Sequence, residues 1–404
     1  MDIEVRPCSS VEELRDALNA ISHYFGVENE LEDAERFAHR IEVERMHAAI
    51  DGDRIIAGAG AYTFRLSVPG GALIPAAGIT VVGVLPTHRR RGVLRSLMKE
   101  QLEDCRARGD LAAYLWASEA TIYGRFGYGL ASRMGAISFA KDRARFALPF
   151  ESRGAVRLVE FAEAARTFPH LHEQVVTRRP GMFVRSKEWW EMRTLFDDPA
   201  RRQGGGPKNL ALLELDGEPA GYAIYHVKQD WESGFSKGTV TIAEVVTPTP
   251  EATRELWRWL FDFDWTSEFI ADLLPVDHEL FLLVAEPRRL QFKINDGVWV
   301  RLIDVGQALS ARTYSEGEIV LDVDDALLPE NGGRWRVTSS GAERTDDAAD
   351  LRLNVTGLGS VYLGGFTFGD LVRGSRAQEL TSGAADRADT LFRTNIQPWC
   401  PEIF

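Results

Sequence analysis

The sequence offers its clearest chemistry in a short basic turn, Arg89-Arg90-Arg91-Gly92. Guanidinium groups bind phosphate oxygens through paired N–H donors, and a glycine lets a ligand approach the backbone closely. The macrodipole of a helix favours anions at its start, so adjacent arginines there are unfavourable by themselves. A polyanion bound among the arginines would remove this conflict. The turn therefore predicts a site for a phosphate-rich ligand; a solvated basic surface turn is the alternative.

The elements on either side would position this turn. Residues 79–85 are almost all apolar or β-branched, which is typical of a strand covered on both faces, and Pro86 ends its pairing. Apolar residues then recur at helical spacing from Val93, and Gly109 stands where that helix would end. We expect the helix to begin near residues 91–92, so that its first N–H groups, which lack partners within the helix, face the turn.

Several stretches resemble a known superfamily. Residues 82–86 followed by 89–94 resemble the acetyl-CoA motif of the GCN5-related N-acetyltransferases (the GNAT superfamily), and residues 118–129 resemble its later signature, a tyrosine ahead of an aromatic-glycine turn. The segments 123–129, 362–366 and 398–404 are similar to one branch, the enhanced-intracellular-survival (Eis) type.

The resemblance implies acetyl-CoA as the co-substrate. In this superfamily the strand carries backbone groups that pair with the pantetheine arm, and the basic loop holds the pyrophosphate. The resemblance assigns cofactor binding to Val82, Gly83, Val84, Arg89, Arg90, Arg91, Gly92, Val93, Leu94, Arg95, Ser118 and Glu119. Ser118 is equally well explained as a helix N-cap.

Acetyl transfer to an amine requires loss of a proton from the acceptor, polarisation of the thioester carbonyl and protonation of the leaving thiolate. Backbone N–H groups near residues 82–84 would polarise the carbonyl. The resemblance places a tyrosine at Tyr123, and we expect it to be the acid, since a phenol with a pKa near ~10 is protonated at neutral pH. Alternatively Tyr123 only packs its ring, and its hydroxyl finds a hydrogen-bond partner close by. Tyr128, the aromatic residue of the turn, is the weaker candidate.

No internal histidine or carboxylate stands out by spacing as the base. The Eis branch implies the main-chain carboxylate of the last residue, Phe404. A free α-carboxylate has a low pKa, so it needs a perturbing site or a water relay to take a proton from an ammonium. The apolar ending predicts a docked terminus, and packing for stability alone is the alternative. Members of the branch often carry an acidic residue just before the last, whereas here Ile403 stands there and Glu402 lies one earlier.

An internal echo indicates a duplicated fold. Residues 213–222 repeat the hairpin theme of residues 50–58, and residues 240–248 read as a second strand that ends at a proline. When the two prolines are aligned, Glu251 falls on Arg89 and Arg254 on Gly92, so the second copy lacks the cation and the glycine. We predict a degenerate second domain; chance similarity between two hairpin-helix units is the alternative.

From about residue 291 strands are followed by helices, which suggests a separate α+β layer domain. In the Eis branch this region resembles a sterol carrier protein, although nothing in the sequence indicates a bound lipid. The predicted fold is therefore α/β and α+β: an active GNAT domain (1–144), a degenerate GNAT-like domain (145–288) and a sterol-carrier-protein-like domain (289–404).

Composition excludes several classes of function. The formal net charge of −13 argues against broad nucleic-acid binding. An acidic surface attracts cationic, amine-bearing partners; a charge that serves solubility alone is the alternative. The 3 cysteines and 8 scattered histidines show no disulfide or metal spacing, and no stretch is long and apolar enough to cross a membrane. We expect a cytoplasmic protein without a metal or membrane partner, and the resemblance suggests a homohexamer.

The sequence thus predicts an acetyl-CoA-dependent N-acetyltransferase. The resemblance implies an amine-rich acceptor, such as an aminoglycoside antibiotic modified at more than one primary amine. Two other functions stay open: acetylation of a lysine or peptide amine, and a non-enzymatic lipid- or sterol-binding protein whose first domain is vestigial.

Overall fold

The computed structural model describes residues 3–199, 202 and 204–404. Packing divides them into two units. The first extends to Ser132 and includes Gly297–Asn395 and Ile403–Phe404, and the second comprises Arg133–Asp296 and Ile396–Glu402. Each unit contains a mixed seven-stranded sheet.

Strands and helices alternate through most of the chain. The strands are β1 (Glu4–Pro7), β2 (Met46–Asp51), β3 (Arg54–Ser67), β4 (Leu73–Val84), β5 (Ala112–Trp116), β6 (Gly129–Leu130), β7 (Arg133–Ala140), β8 (Gly154–Leu158), β9 (Asn209–Leu215), β10 (Glu218–Lys228), β11 (Trp231–Glu232), β12 (Phe235–Ser236), β13 (Thr239–Val246), β14 (Glu268–Pro275), β15 (Lys293–Asp296), β16 (Val298–Leu302), β17 (Glu318–Asp324), β18 (Gly333–Thr338), β19 (Gly341–Arg344), β20 (Leu351–Asn354) and β21 (Ala377–Glu379). The helices are α1 (Val11–Ser22), α2 (Leu31–Ala38), α3 (Val93–Ala107), α4 (Ala120–Tyr123), α5 (Phe161–Val176), α6 (Lys187–Trp189), α7 (Pro250–Phe261), α8 (Leu280–Leu283), α9 (Val305–Ala311), α10 (Val355–Tyr362), α11 (Phe368–Arg373) and α12 (Ala384–Leu391).

The sheet of the first unit has the order β1-β2-β3-β4-β5-β16-β6. Its β4–β5 pair is parallel, and its other neighbours are antiparallel. The predicted hairpin is confirmed as β2 and β3, turned at Gly52 with a φ of 63°. The predicted helix after the basic turn is confirmed as α3, which buries its apolar stripe, including Leu97, Met98 and Leu102.

The sheet of the second unit has the order β15-β7-β14-β13-β10-β9-β8. It repeats the pattern of the first: an antiparallel hairpin, β9–β10, leads to a long strand, β13, which has a parallel neighbour, β14. A helix, α7, follows β13 as α3 follows β4. The internal echo in the sequence therefore corresponds to a repeated architecture.

At the end of each repeat, two consecutive strands belong to different sheets. β7 follows β6 in the sequence but pairs with β14 and β15. β16 follows β15 but pairs with β5 and β6. The predicted domain boundaries at residues 144 and 288 stay predictions, since a unit defined by packing and a domain of the duplicated fold need not end at the same residue.

A third sheet, in the first unit, has the order β19-β18-β17-β20-β21. Helix α10 packs from this region onto β6 and β16. The contact is close, because a Cβ atom on Gly129 would lie 2.0 Å from the Thr356 carbonyl oxygen and one on Gly359 would lie 2.2 Å from that of Val300. The predicted α+β layer is confirmed in this part of the chain.

Within the described residues, none of the helices combines the length and the apolar character that a bilayer crossing requires. The same residues contain no cluster of three or more histidine, cysteine, aspartate or glutamate side chains able to hold a metal ion.

Candidate functional site

Two parallel strands of the first sheet separate partway along their length. Their last paired residues are Gly78 of β4 and Tyr114 of β5, although β4 continues to Val84 and β5 to Trp116. Past this point one edge of β4 has no strand beside it in the described chain. Its N–H and C=O groups are therefore available to a ligand that lies in the gap.

A bulge shapes this free part of β4. Val81 and Val82 lie opposite the single residue Ala59, because the register shifts between Gly58 and Gly60 on β3. Val81 has a φ of 48°, a conformation that β-branched residues rarely adopt. Such strain persists only where the surrounding structure enforces it, and it concentrates at functional sites.

The backbone groups of Val84 point away from β3. Leu85 donates its N–H to the Ile56 carbonyl at 2.8 Å, so the preceding pair, Val84 and Ala57, occupies a non-hydrogen-bonded position. The Val84 carbonyl accepts a hydrogen bond from the Tyr24 hydroxyl at 2.6 Å instead.

The basic turn has the geometry that the sequence predicts. Gly92 is the N-cap residue of α3, with a φ of 84° and no side-chain cap for the helix N–H groups. A Cβ atom on Gly92 would meet nothing within 4 Å, so the approach to the backbone is open. Arg89, Arg90 and Arg91 are exposed. None of the three pairs with a carboxylate in the part of the chain that the structure describes, which leaves their charge for an anion.

A cavity of about 720 Å³ connects the bulged strand, the basic turn and α4. Every predicted cofactor-binding residue except Arg91 lines it, namely Val82, Gly83, Val84, Arg89, Arg90, Gly92, Val93, Leu94, Arg95, Ser118 and Glu119. Sequence reasoning missed other lining residues, namely Ile21, Tyr24, Phe25, His88, Thr121, Ile122, Arg125, Phe126 and Leu327. The N-cap of α4 is Glu119, so the alternative interpretation of Ser118 as a cap is wrong.

Tyr123 lies in the cavity wall at the end of α4 and is 6% exposed. Burial raises the pKa of its hydroxyl to about 12, and the nearby Glu119 carboxylate adds to the shift. Its hydroxyl has no hydrogen-bond partner among the described residues, so the alternative of a locally satisfied hydroxyl is not what the structure shows. The Tyr128 ring lies edge-on to that of Tyr123, with centroids 5.9 Å apart. Tyr128 is fully buried, does not line the cavity, and burial raises its pKa well above the usual value.

The chain end is docked, as the apolar ending predicts. Phe404 is 8% exposed, and its ring lies against the rings of Phe64 and Tyr114, with centroid distances of 5.2 and 4.8 Å. A Cβ atom on Gly78 would lie 3.3 Å from the Phe404 ring. The last residue therefore sits where β4 and β5 separate, at Gly78 and Tyr114.

The residues just before the chain end are held within the second unit. Glu402 accepts hydrogen bonds from Trp189 Nε1 at 2.9 Å and from Arg193 Nε at 3.0 Å. The Trp399 amide donates to the Pro180 carbonyl at 2.8 Å, and its indole N–H donates to the Leu273 carbonyl. These contacts fix Ile396–Glu402 along the second unit.

The second sheet has a corresponding separation that is filled differently. β13 and β14 pair only to Ile242 and Ala271, and β13 also carries a bulge at this point. Glu244 stands four residues before Pro248, as Val82 stands four before Pro86. Its carboxylate forms a buried bidentate ion pair with Arg185, at 2.6 and 2.9 Å, and it accepts the Tyr222 hydroxyl at 2.5 Å.

The helix after β13 also lacks an anion cradle. Thr249 caps α7 by accepting from the Ala252 N–H at 3.2 Å, and Pro250 is the first helical residue. The alignment of Arg254 with Gly92 is therefore wrong, because α7 already begins at Pro250 and Arg254 lies inside it. The Arg254 guanidinium stacks on the Phe150 ring at 4.3 Å. The second copy has lost the loop as well as the glycine.

Comparisons with known proteins agree with this architecture. Residues 4–131 and 181–302 match two acetyltransferase (GNAT) domain families, and residues 305–401 match the sterol carrier protein domain family. The chain is similar to an uncharacterized N-acetyltransferase of Streptomyces avermitilis, with 40% identity over 95% of both chains. It is also similar to the N-acetyltransferase Eis of Mycobacterium tuberculosis, with 32% identity over 85% of both chains. The crystal structure of Eis1 from Mycobacterium abscessus superposes with a TM-score of 0.87 at 34% identity, over 99% of this chain and 100% of that one. The predicted family, fold and enzyme class are confirmed: this chain belongs to the Eis-type N-acetyltransferases of the GNAT superfamily, with two GNAT domains followed by a sterol carrier protein domain.

Proposed function

We propose that this enzyme transfers acetyl groups from acetyl-CoA to primary amines of a cationic, amine-rich acceptor of the aminoglycoside kind, at more than one position. The observation that carries the proposal is that one cavity joins three features of the described residues. They are the edge of β4 that pairs with no strand there, the start of α3 whose arginines pair with no carboxylate there, and the Tyr123 hydroxyl. The residues fit acetyl-CoA, since the open Gly92 backbone and the adjacent guanidinium groups suit a pyrophosphate.

In this proposal Arg89, Arg90 and Arg95, together with the Val93 and Leu94 N–H groups, hold the diphosphate at the start of α3. The backbone groups of Val82 and the N–H of Val84 orient the pantetheine amides and the thioester, while the Val84 carbonyl stays bonded to the Tyr24 hydroxyl. An N–H group held by the bulge polarises the thioester carbonyl without reorganising during the reaction.

The chemistry of Tyr123 follows from its burial. Because its pKa is about 12, the hydroxyl is protonated throughout the neutral range. A cysteine-like thiol has a pKa of about 8.5, so complete proton transfer from Tyr123 to a thiolate is uphill by roughly 5 kcal/mol. We therefore assign Tyr123 the role of a hydrogen-bond donor that stabilises the developing thiolate, with the final proton coming from the acceptor amine or from water.

We propose that the α-carboxylate of Phe404 receives the acceptor proton through water or holds the ammonium beside the site. An α-carboxylate has a pKa of about 3.5, which is too low for efficient direct deprotonation of an ammonium. The anchored aromatic ring supports this role, because it fixes the terminus where the strands separate.

The charge of the chain supports a polycationic acceptor. A formal net charge of −13 attracts amines over long distances and is screened by salt. The KM for a polyamine acceptor is therefore expected to rise with ionic strength, whereas the KM for a monoamine changes little.

The test is the release of CoA thiol with acetyl-CoA and a panel of kanamycin, neomycin, a lysine-containing peptide and a monoamine, with mass spectrometry of the products. The three cysteines are buried, and burial raises the pKa values of Cys8 and Cys105 to about 12, so a thiol reagent reports CoA alone. Multiple acetylation of the aminoglycosides supports the proposal. Turnover confined to the peptide assigns a protein acceptor instead, and no turnover on any amine rejects the proposed activity.

Assembly and location are part of the same proposal. By resemblance to the Eis type we propose a cytoplasmic homohexamer with no nucleic-acid or membrane partner. Light scattering coupled to size-exclusion chromatography tests the subunit count directly.

A further inference from the structure

We infer that Leu327, in the sterol carrier protein domain, forms part of the acyl-CoA-binding wall and contacts the apolar pantetheine arm. A buried Arg301–Asp325 ion pair positions it. The inference rests on the proposed function, since it adds a binding residue to the same cavity. It gives the C-terminal domain a role in cofactor binding that needs no lipid.

Leu327 is the one lining residue of the cavity, among the residues described, that follows Phe126 in the sequence. It is half-buried and packs in the apolar cluster that contains Tyr123 and Phe126, as do Leu94 and Ile122. The side chain thus presents a carbon surface to the cavity beside the proposed hydrogen-bond donor.

The turn that carries Leu327 is held from within. Asp325 accepts the N–H groups of Leu327 and Leu328 at 3.2 and 3.1 Å. It also pairs with both terminal nitrogens of Arg301, at 2.7 and 2.8 Å, and accepts from the Asn331 amide at 3.0 Å. Arg301 and Asp325 are both buried, so their ion pair is shielded from solvent.

The same ion pair reaches the turn that follows Tyr123. A Cβ atom on Gly127 would lie 2.7 Å from Arg301 Nε, so the guanidinium packs directly against that glycine. The Thr356 hydroxyl donates to the Gly124 carbonyl at 3.1 Å from the other side. Arg301 of β16 and two residues of the sterol carrier protein domain, Asp325 and Thr356, therefore hold both the Leu327 turn and the Tyr123 turn.

The chemistry of the cavity wall indicates which part of acetyl-CoA Leu327 contacts. The arginine turn suits the phosphates, whereas Leu327, Ile122 and Phe126 offer only apolar surface. Methylene and methyl groups of a pantetheine arm lose unfavourable hydration against such a surface, and a charged group gains nothing there.

The experiment compares two adjacent leucines. Calorimetry on the full-length protein measures the Kd values of CoA, acetyl-CoA and adenosine 3′,5′-bisphosphate, the nucleotide fragment without the arm. Leu327→Ala is expected to weaken CoA and acetyl-CoA about three- to tenfold, and Leu327→Glu by more, with the nucleotide fragment unchanged. Leu328→Ala is the matched control, since Leu328 is 3% exposed and does not line the cavity. It is expected to lower Tm without changing any Kd.

Asp325→Asn tests positioning. It is expected to weaken acetyl-CoA as Leu327→Ala does, and the double variant is expected to lose less than the product of the two single effects, because both act through one side chain. Unchanged Kd values for both Leu327 variants overturn the inference, as does equal weakening of the nucleotide fragment. A wild-type protein that binds no CoA rejects the proposed function itself and is thus distinguishable.

Discussion

The ring of Phe404 lies edge-on against the ring of Tyr114, with centroids 4.8 Å apart, and Tyr114 is the residue at which β5 leaves β4. The last residue of the chain is therefore fixed at the point where the sheet opens. Phe64 completes the aromatic cage, and a Cβ atom on Gly78 would lie 2.3 Å from the Phe64 ring. Gly78 thus leaves the room that this cage needs.

Changing the position of the terminal carboxylate will reduce turnover. Deleting Phe404, or adding one glycine after it, is expected to lower kcat by about 100-fold while leaving the Kd for CoA within about twofold, because the carboxylate moves and the cofactor cavity does not. Steady-state kinetics and calorimetry measure the two quantities. Phe404→Leu, which keeps the carboxylate in register, is the control and should retain most activity. Full activity after both deletion and extension removes the terminus from the mechanism.

The two neighbouring tyrosines will separate chemistry from packing. Tyr123→Phe removes a hydroxyl in the cavity wall and is expected to lower kcat by about 100-fold with little change in CoA affinity. Tyr128→Phe removes a buried hydroxyl that has no partner among the described residues. Loss of an unsatisfied polar atom is neutral or stabilising, so kcat and Tm should hold or rise. Comparable losses in the two variants would assign Tyr123 a packing role.

Local signals made the cofactor turn predictable. A strand, a proline, a glycine at the helix start and an amphipathic helix lie within residues 79–109, and each depends on neighbours in the sequence. The docking of the last residue was also predictable, because burial removes the apolar side chains of the chain end from water.

Tertiary packing decided what sequence reasoning missed. Leu327 reaches the cavity only through the Asp325 turn, and Tyr24 only because the turn after α1 brings its hydroxyl to the Val84 carbonyl, so neither carries a signal of its own. The wrong alignment of Arg254 with Gly92 has another cause, because the sequence does mark the start of α7: Thr249 followed by Pro250 is an N-cap and a first-turn proline. Aligning the two prolines without a gap did not take this signal into account.

Adjacent arginines will differ in their effect on cofactor binding. Arg89 lines the cavity and Arg91 does not, so charge reversal by Arg89→Glu is expected to raise the Kd for CoA at least tenfold. Arg91→Glu changes the net charge by the same amount, two positions further along the turn. It should raise the Kd for CoA only about two- to threefold, through long-range repulsion. Calorimetry at low and high salt measures both. Equal effects would mean that the turn acts by its total charge rather than by contact.

Acid will destabilise the second unit through His278. Burial, and secondarily the Arg179 charge, lower the pKa of this imidazole from 6.5 to about 3, and its Nδ1 accepts the Leu280 N–H at 3.1 Å. The unfolded chain therefore binds a proton that the folded chain does not. The contribution is complete above pH 6.5 and is lost as the pH falls towards 3, by about 2 kcal/mol at pH 5.

Urea unfolding, followed by the intrinsic fluorescence of the 10 tryptophans, which include Trp257 beside His278, measures this loss. The control His278→Asn keeps an acceptor for the Leu280 N–H but does not titrate, so its unfolding midpoint should fall less between pH 7 and pH 5. The same slope in the variant would place the acid sensitivity elsewhere.

Two GNAT domains will bind one CoA. The second cleft carries the buried Arg185–Glu244 pair at the position equivalent to Val82. Helix α7 starts with its own cap, so the Ala252 N–H already has an acceptor and Pro250 has no N–H to offer. Calorimetry should therefore give one CoA per chain, and Arg89→Glu should weaken all of the binding rather than half of it.

Glu244→Val leaves Arg185 beside Glu402 without its bidentate partner and should cost about 3 kcal/mol of stability. The stoichiometry should stay at one, because restoring an apolar strand does not restore the missing loop. Two equivalents in the wild-type protein would show that the second cleft still binds cofactor.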